Sequence, residues 1–111
     1  MPEFAQTPEP PYYAVIFTSQ RTPDENEYED TAARMTELAK GMPGYLGVES
    51  ARSSDGLGIT VSYWTSETDI ANWKRHVEHR VAQDRGKTEW YQHYELRVAR
   101  IERAYSGPEG R

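Results

Sequence analysis

Two histidines, His76 and His79, are spaced so that a helix would place both imidazoles on one side. An imidazole titrates near neutral pH, so such a group can take a proton from a substrate and return it. On a helical wheel Asn72 and Gln83 extend the same stripe, and none of the four side chains carries a fixed charge at neutral pH. Uncharged groups orient a polar ligand at low desolvation cost. We therefore predict that His76 and His79 are catalytic and that Asn72 and Gln83 bind substrate.

Aromatic side chains accompany this stripe. Trp73 lies in the apolar part of the same helical pattern, and Tyr63 and Tyr13 are predicted to face the same space from two strands. We assign all three to substrate binding, because aromatic rings supply apolar area and tyrosine adds a polar tip. The sequence leaves one alternative open, in which the stripe is an ordinary polar flank that happens to contain two histidines.

Other chemistries find less support. His93 would complete a metal site with the two helical histidines, but no carboxylate is clearly placed with them, so we predict no metal. The chain has no nucleophile elbow, no phosphate-binding loop and no dinucleotide fingerprint. We predict no organic cofactor either.

The elements that must position these residues follow from hydrophobic periodicity and turn signals. Strands are predicted over 12–19, 45–53, 57–65 and 94–104, and a helical turn is predicted at 88–91. One helix is predicted from Thr22-Pro23 to Gly41, and a second begins at Ser66, with Asp69 completing a capping box. Asp55-Gly56 predicts a hairpin. The order indicates an α+β, ferredoxin-like βαββαβ fold, a four-stranded antiparallel sheet with helices on one face.

Composition limits the partners and the compartment. The 111 residues suit one domain, predicted over 12–105, between an extended and partly disordered proline-rich arm at 1–11 and a flexible tail at 106–111. The net charge of -5 argues against a nucleic-acid partner, which requires a basic surface. The chain has no cysteine, no long apolar run and no signal-like start, so we expect a cytoplasmic protein without a membrane partner.

Two motifs resemble the antibiotic biosynthesis monooxygenase (ABM) domain over about residues 12–105. They are Met42-Pro43-Gly44-Tyr45-Leu46-Gly47 and the run Tyr63-Trp64-Thr65-Ser66-Glu67 through Ile70-Ala71-Asn72-Trp73. The resemblance implies a homodimeric α+β barrel, in which two sheets pack face to face and each subunit has a pocket between its sheet and helices. Family members include cofactor-independent monooxygenases that oxidise aromatic polyketides with O2, haem-degrading enzymes and quinol oxygenases.

The family's functional residues carry over only in part. Trp73 matches the helix tryptophan of the oxygenating members, whereas Asp69 stands where the polyketide oxygenases have asparagine. Gln83 stands where the haem-degrading members have their histidine ligand, and the first strand shows no clear counterpart of their catalytic asparagine. We therefore expect a cofactor-independent monooxygenase-like enzyme for a small phenol or quinol. The alternatives are a non-catalytic small-molecule-binding dimer and, with less support, a haem-binding or haem-degrading protein.

Overall fold

The computed structural model describes residues 4–21, 38–84 and 91–108, with side chains for 4–20, 38–76 and 95–108. Four strands and one long helix are defined within these ranges. They are β1 (Tyr12–Arg21), β2 (Tyr45–Arg52), β3 (Leu57–Trp64), the long helix (Glu67–Asp84) and β4 (Tyr91–Ile101). The predicted first helix over 22–41 lies mostly outside the described residues, and its residues 38–40 are helical.

The strands form one antiparallel sheet in the order β2-β3-β1-β4. β1 and β3 therefore lie at the centre, and the hairpin partner β2 and the last strand β4 form the edges. This is the ferredoxin-like arrangement. It confirms the predicted α+β fold, with helical segments that pack on one face of a four-stranded antiparallel sheet.

The two faces of the sheet differ in their cover, and we call them the helix face and the open face. Residues that oppose each other in an antiparallel pair point to the same side. Tyr13 opposes Trp64 on the helix face, whereas Ala14 opposes Tyr63 on the open face. Ile59, on the open face with Tyr63, has 47% of its surface exposed.

The core lies between the helix face and the helical segments. Its buried members are Val15 and Trp64 from the sheet, Ala39 from the helical residues 38–40 and Ile70 from the long helix. Trp64 is fully buried, and its Nε1 donates to the Ser62 hydroxyl at 2.9 Å. Among the described residues, no helix has both the length and the apolar content that crossing a membrane requires.

The long helix begins with the predicted cap. The Ser66 hydroxyl accepts the backbone N–H of Asp69 at 3.1 Å, as expected for a residue that caps a helix. The Asp69 carboxylate accepts from the hydroxyls of Ser66 and Thr65, at 3.0 and 2.8 Å. Gly44 adopts φ of 87°, and a methyl group added to it would overlap the Asp69 carboxylate. The turn into β2 is therefore held directly against the start of the helix.

The β2–β3 hairpin closes at the predicted turn. Gly56 adopts φ of 97°, which favours glycine. The Asp55 carboxylate accepts from the Ser53 hydroxyl and from the Leu57 N–H, and these bonds lower the pKa of Asp55.

Arg52, the last residue of β2, ties this end of the sheet together. Its guanidinium donates to the buried Ser19 hydroxyl of β1 at 2.9 Å and to the Gly56 carbonyl of the turn. A side chain at Gly58 would meet the guanidinium at 2.7 Å, so the glycine leaves room for Arg52 to cross over β3 in this position. Arg52 therefore connects β2 to β1, although these two strands are not neighbours in the sheet.

β4 differs from its prediction at both ends. It runs from Tyr91 to Ile101, whereas the sequence predicted 94–104 and placed residue 91 in a helical turn. Pairing with β1 explains the shift, because Ile101 opposes Tyr12 at the start of β1 and Tyr91 opposes Arg21 at its end. Long-range pairing overrides local propensity here. The remaining predicted turn residues, 88–90, lie outside the described residues.

The proline-rich residues 4–11, which we call the arm, lie against the open face. The Ala5 N–H donates to the Glu49 carboxylate at 2.9 Å, and the Thr7 hydroxyl meets the Tyr12 hydroxyl at 3.0 Å. A side chain at Gly47 would come within 2.8 Å of the Ala5 methyl group. The arm thus covers one corner of the open face, and Tyr12 is 4% exposed there.

Candidate functional site

Two tryptophans meet between the helix face and the long helix. The rings of Trp64 and Trp73 have centroids 5.5 Å apart and planes inclined by 41°. Each indole carries one N–H donor, which a buried site normally satisfies. Trp64 donates to Ser62, but the buried Nε1 of Trp73 has no hydrogen-bond partner among the described residues. The pair therefore holds one satisfied donor and one unsatisfied donor.

Trp73 shares its contact with the buried core with other apolar and aromatic side chains. Tyr13, Met42 and Tyr45 pack against the same cluster, and the Tyr45 ring meets Trp64 edge to face at 5.7 Å. A methionine side chain is unbranched and flexible, so it can yield to an incoming group. We call Trp64, Trp73, Tyr13, Tyr45 and Met42 the aromatic wall, and among the described residues its buried donor without a partner is the Nε1 of Trp73.

Of the other predicted helix residues, Asn72 and His76 have described side chains, and His76 is the one that is not exposed. It follows Trp73 by three positions, which makes the two neighbours on a helix surface, and it is half-buried. Asn72 is exposed, and its Oδ1 accepts from the Arg75 guanidinium, so the structure places it on the outer side of the helix. The side chains of His79 and Gln83 lie outside the described residues, and their predicted roles remain predictions.

The Tyr63 side chain does not lie where the sequence predicted it. The sequence grouped it with Trp73 and Tyr13, but its ring lies on the open face, where it meets Tyr12 edge to face at 5.9 Å. Its hydroxyl donates to Glu49 at 2.8 Å. Burial, followed by this bond, raises the pKa of Tyr63 to about 12. A neutral Tyr63 behind the sheet cannot line the space beside Trp73.

The raised pKa of Tyr63 predicts a loss of stability in alkali. A tyrosine that holds its proton more tightly when folded stabilises the fold fully below its ordinary pKa of 10.0 and loses that contribution as pH rises through about 12. Urea unfolding of the wild type and of Tyr63→Phe across this range measures the effect. We expect a steeper decline for the wild type, and equal slopes would contradict the assigned hydrogen bond.

Three members of the wall were not predicted as site residues. Met42, Tyr45 and Trp64 belong to the two motifs on which the family resemblance depends, but none of them was given a role in binding. A signal for Trp64 exists in its parity, since it shares a face with Thr60 and Ser62 and not with Tyr63. Among the described residues no group of three histidine or acidic side chains is arranged to hold a metal ion.

Comparisons with known proteins agree with this architecture. The sequence profile of the family described as antibiotic biosynthesis monooxygenase (ABM) matches residues 11–85. The uncharacterised protein YqjZ of Bacillus subtilis (strain 168) is 52% identical over 99 residues, which cover 89% of this chain and 87% of that protein.

Solved structures share the fold at low sequence identity. PA3566 from Pseudomonas aeruginosa superposes with a TM-score of 0.59 at 15% identity, covering 87% of this chain and 98% of that one. A candidate antibiotic biosynthesis monooxygenase from Nitrosomonas europaea gives 0.63 at 12% identity, covering 87% and 93%. The profile match covers more than half of the chain, and the chain therefore belongs to the antibiotic biosynthesis monooxygenase family.

Proposed function

We propose that the protein is a cofactor-independent oxygenase that acts on a small aromatic substrate of the phenol or quinol type. The observation that carries the proposal is the buried N–H of Trp73, which lacks an acceptor among the described residues and lies in an aromatic wall. A buried donor without a partner costs about 1–3 kcal/mol. A ligand oxygen that accepts from Trp73 would recover part of this, while its ring packs against Trp64 and Tyr13.

The chemistry needs a base and an electron-rich substrate. His76, one helical turn beyond Trp73, is proposed to take the proton from the phenol, and His79 is the alternative base. The resulting phenolate can pass an electron to O2 without help from a cofactor. For an anthrone, CH2 and O2 give C=O and H2O, so the substrate supplies all four electrons and one oxygen atom enters the product.

Oxygen consumption tests the proposal. The protein is incubated with anthrones, quinols and flavonoids under O2, and product formation is compared with the uncatalysed rate. Catalysed turnover of at least one class is the expected result. Absence of turnover on every class, combined with saturable binding of the same compounds, would contradict the oxygenase proposal. It would support the alternative, a non-catalytic small-molecule-binding protein. A Soret shift on titration with haemin would point instead to the haem-binding alternative.

Replacing Trp73 with phenylalanine removes the unsatisfied N–H and keeps an aromatic ring. We expect the dissociation constant of a bound phenol to rise about tenfold, because a single hydrogen bond contributes about 0.5–1.5 kcal/mol. The melting temperature should change little, since no hydrogen bond to the described residues is lost and relief of the donor's burial cost offsets the packing lost with the smaller ring. Isothermal titration and thermal melting measure the two effects.

Trp64→Phe is the matched control for this variant. It removes the same atom type from the neighbouring ring, but that N–H is bonded to the buried Ser62 hydroxyl. Stability should therefore fall in Trp64→Phe. Affinity should fall more in Trp73→Phe, because Trp64→Phe keeps an aromatic ring for the ligand to pack against and removes no donor that is free to bind it. An unchanged affinity in Trp73→Phe would show that the ligand does not use this donor.

We further propose that two copies pair through their open faces. Leu57 and Ile59 lie on this face with 50% and 47% of their surfaces exposed, although both are large and apolar. Glu95 and Arg97 of β4 stand on the same face and bring charges of both signs, which an isologous contact can match across a twofold axis.

Ile59→Lys should therefore abolish the dimer in analytical ultracentrifugation. Val98→Lys, an equally exposed site on the helix face, should leave the dimer intact.

A further inference from the structure

One corner of the open face binds the arm, and we call this corner the seat. It consists of Gly47 and Glu49 of β2, Tyr63 of β3 and Tyr12 of β1. The arm contributes a backbone N–H from Ala5 and a hydroxyl from Thr7, so main-chain and short side-chain groups make the contacts. Gly47 permits the close approach of Ala5, as any larger side chain would collide with its methyl group.

Glu49 is the member of the seat that bonds to both the arm and the sheet. One carboxylate oxygen accepts from the Tyr63 hydroxyl at 2.8 Å and the other from the Ala5 N–H at 2.9 Å. A carboxylate on a surface that becomes buried is costly unless its oxygens have donors. Without the arm, one of these two oxygens loses its donor.

The seat and the exposed apolar residues occupy different parts of the same face. Tyr63 stands near the end of β3, and Leu57 and Ile59 stand at its beginning. At about 3.3 Å per residue, Tyr63 and Ile59 are roughly 13 Å apart along the strand. A second copy can therefore pack directly on Leu57 and Ile59 and reach the seat through the arm, so that the arm and the partner do not compete and Glu49 is buried beneath both.

We propose that the seated arm is a strap that makes the open face competent to pair with a second copy, by satisfying Glu49 before the face is buried. The inference rests on the proposed pairing through the open face and adds its control by the arm. It assigns a role to a segment that the candidate site beside Trp73 does not use.

Two variants displace the arm from opposite sides. Ala5→Pro removes the N–H that Glu49 accepts, in a segment already rich in proline. Gly47→Ala leaves the arm unchanged and places a methyl group where Ala5 lies. Each should raise the dimer dissociation constant about tenfold or more, as expected for a charged acceptor left without its donor. Sedimentation of the full chain over a concentration series measures the constant.

Gln6→Pro is the control for Ala5→Pro. It adds the same ring one position along the arm, and it leaves the Ala5 N–H in place. Its dimer constant should equal that of the wild type. Thermal melting of all three variants at low concentration separates a lost contact from a lost fold, and unaltered melting is expected.

The double variant Ala5→Pro with Glu49→Gln identifies Glu49 as the reason for the effect. A neutral amide costs less to bury than a carboxylate, so Ala5→Pro should weaken the dimer less than about threefold in this background. An equal effect in both backgrounds would overturn the role of Glu49.

A wild-type dimer that Ile59→Lys disrupts but that neither Ala5→Pro nor Gly47→Ala weakens would overturn the strap and leave the pairing. A wild-type chain that stays monomeric at every concentration would instead overturn the pairing itself.

Discussion

Exchange of His76 for glutamine is expected to slow the oxygen-dependent turnover by about 10²–10⁴-fold, the usual contribution of a positioned general base. Glutamine has a similar size and still forms hydrogen bonds, but it cannot hold the abstracted proton. His76 is half-buried one helical turn beyond Trp73, so the loss should fall on kcat while ligand binding changes little. Stopped-flow measurement of turnover at saturating anthrone gives kcat, and titration of the same compound without O2 gives its affinity.

Arg75→Gln controls for changes of charge and helix stability near His76. Arg75 is the preceding residue, is exposed and donates to Asn72 on the outer side of the helix. Its replacement should leave turnover within about twofold, as expected for a surface substitution away from special features. Full activity of His76→Gln together with a slow His79→Gln would transfer the role of base to His79.

Substitution of Gly44 by alanine should destabilise the fold by about 2–4 kcal/mol, the sum of a strained backbone and a damaged helix cap. Its φ of 87° disfavours any side chain, and the added methyl group would overlap the carboxylate of Asp69. That carboxylate holds the hydroxyls of Thr65 and Ser66 at the start of the long helix. Urea unfolding measures the loss directly.

Gly41→Ala provides the control within the same connection. Gly41 is exposed, and an added methyl group would meet only the Leu38 carbonyl oxygen, at an ordinary 3.7 Å. This change should stay within about 0.5 kcal/mol of the wild type. Equal stabilities of the two alanine variants would contradict the close contact between Gly44 and the Asp69 carboxylate.

Local signals predicted the parts of the fold that depend on neighbouring residues. The cap at Ser66 and Asp69 and the hairpin at Asp55-Gly56 depend on contacts within a few positions, so their patterns are visible in the chain. The reciprocal half of the capping box differs in detail, since Asp69 accepts from two hydroxyls. The ends of β4 were displaced because its partner β1 is distant in sequence.

The candidate site was predicted only in part, for a related reason. Period-two alternation places Tyr63 and Trp64 on opposite faces, but it does not say which face meets the helix. The packing of Trp64 against Ile70 of the long helix decides this, and the register between β1 and β3 then puts Tyr13 with Trp64. The unsatisfied N–H of Trp73 depends on packing from several elements, and no local pattern encodes it. Prolines likewise predicted an extended arm without indicating that Ala5 would meet Glu49.

The guanidinium of Arg52 has a mechanical consequence for the candidate site. By crossing β3 above Gly58 to reach Ser19, it fastens the hairpin to the central strand and resists shear between β2 and β1. We therefore expect the strands of the sheet to keep their positions relative to one another. A transient opening that lets a molecule reach Trp73 should then come from tilting of the long helix, together with a change in the conformation of the Met42 side chain. Amide hydrogen exchange should therefore be faster in that helix than in β3.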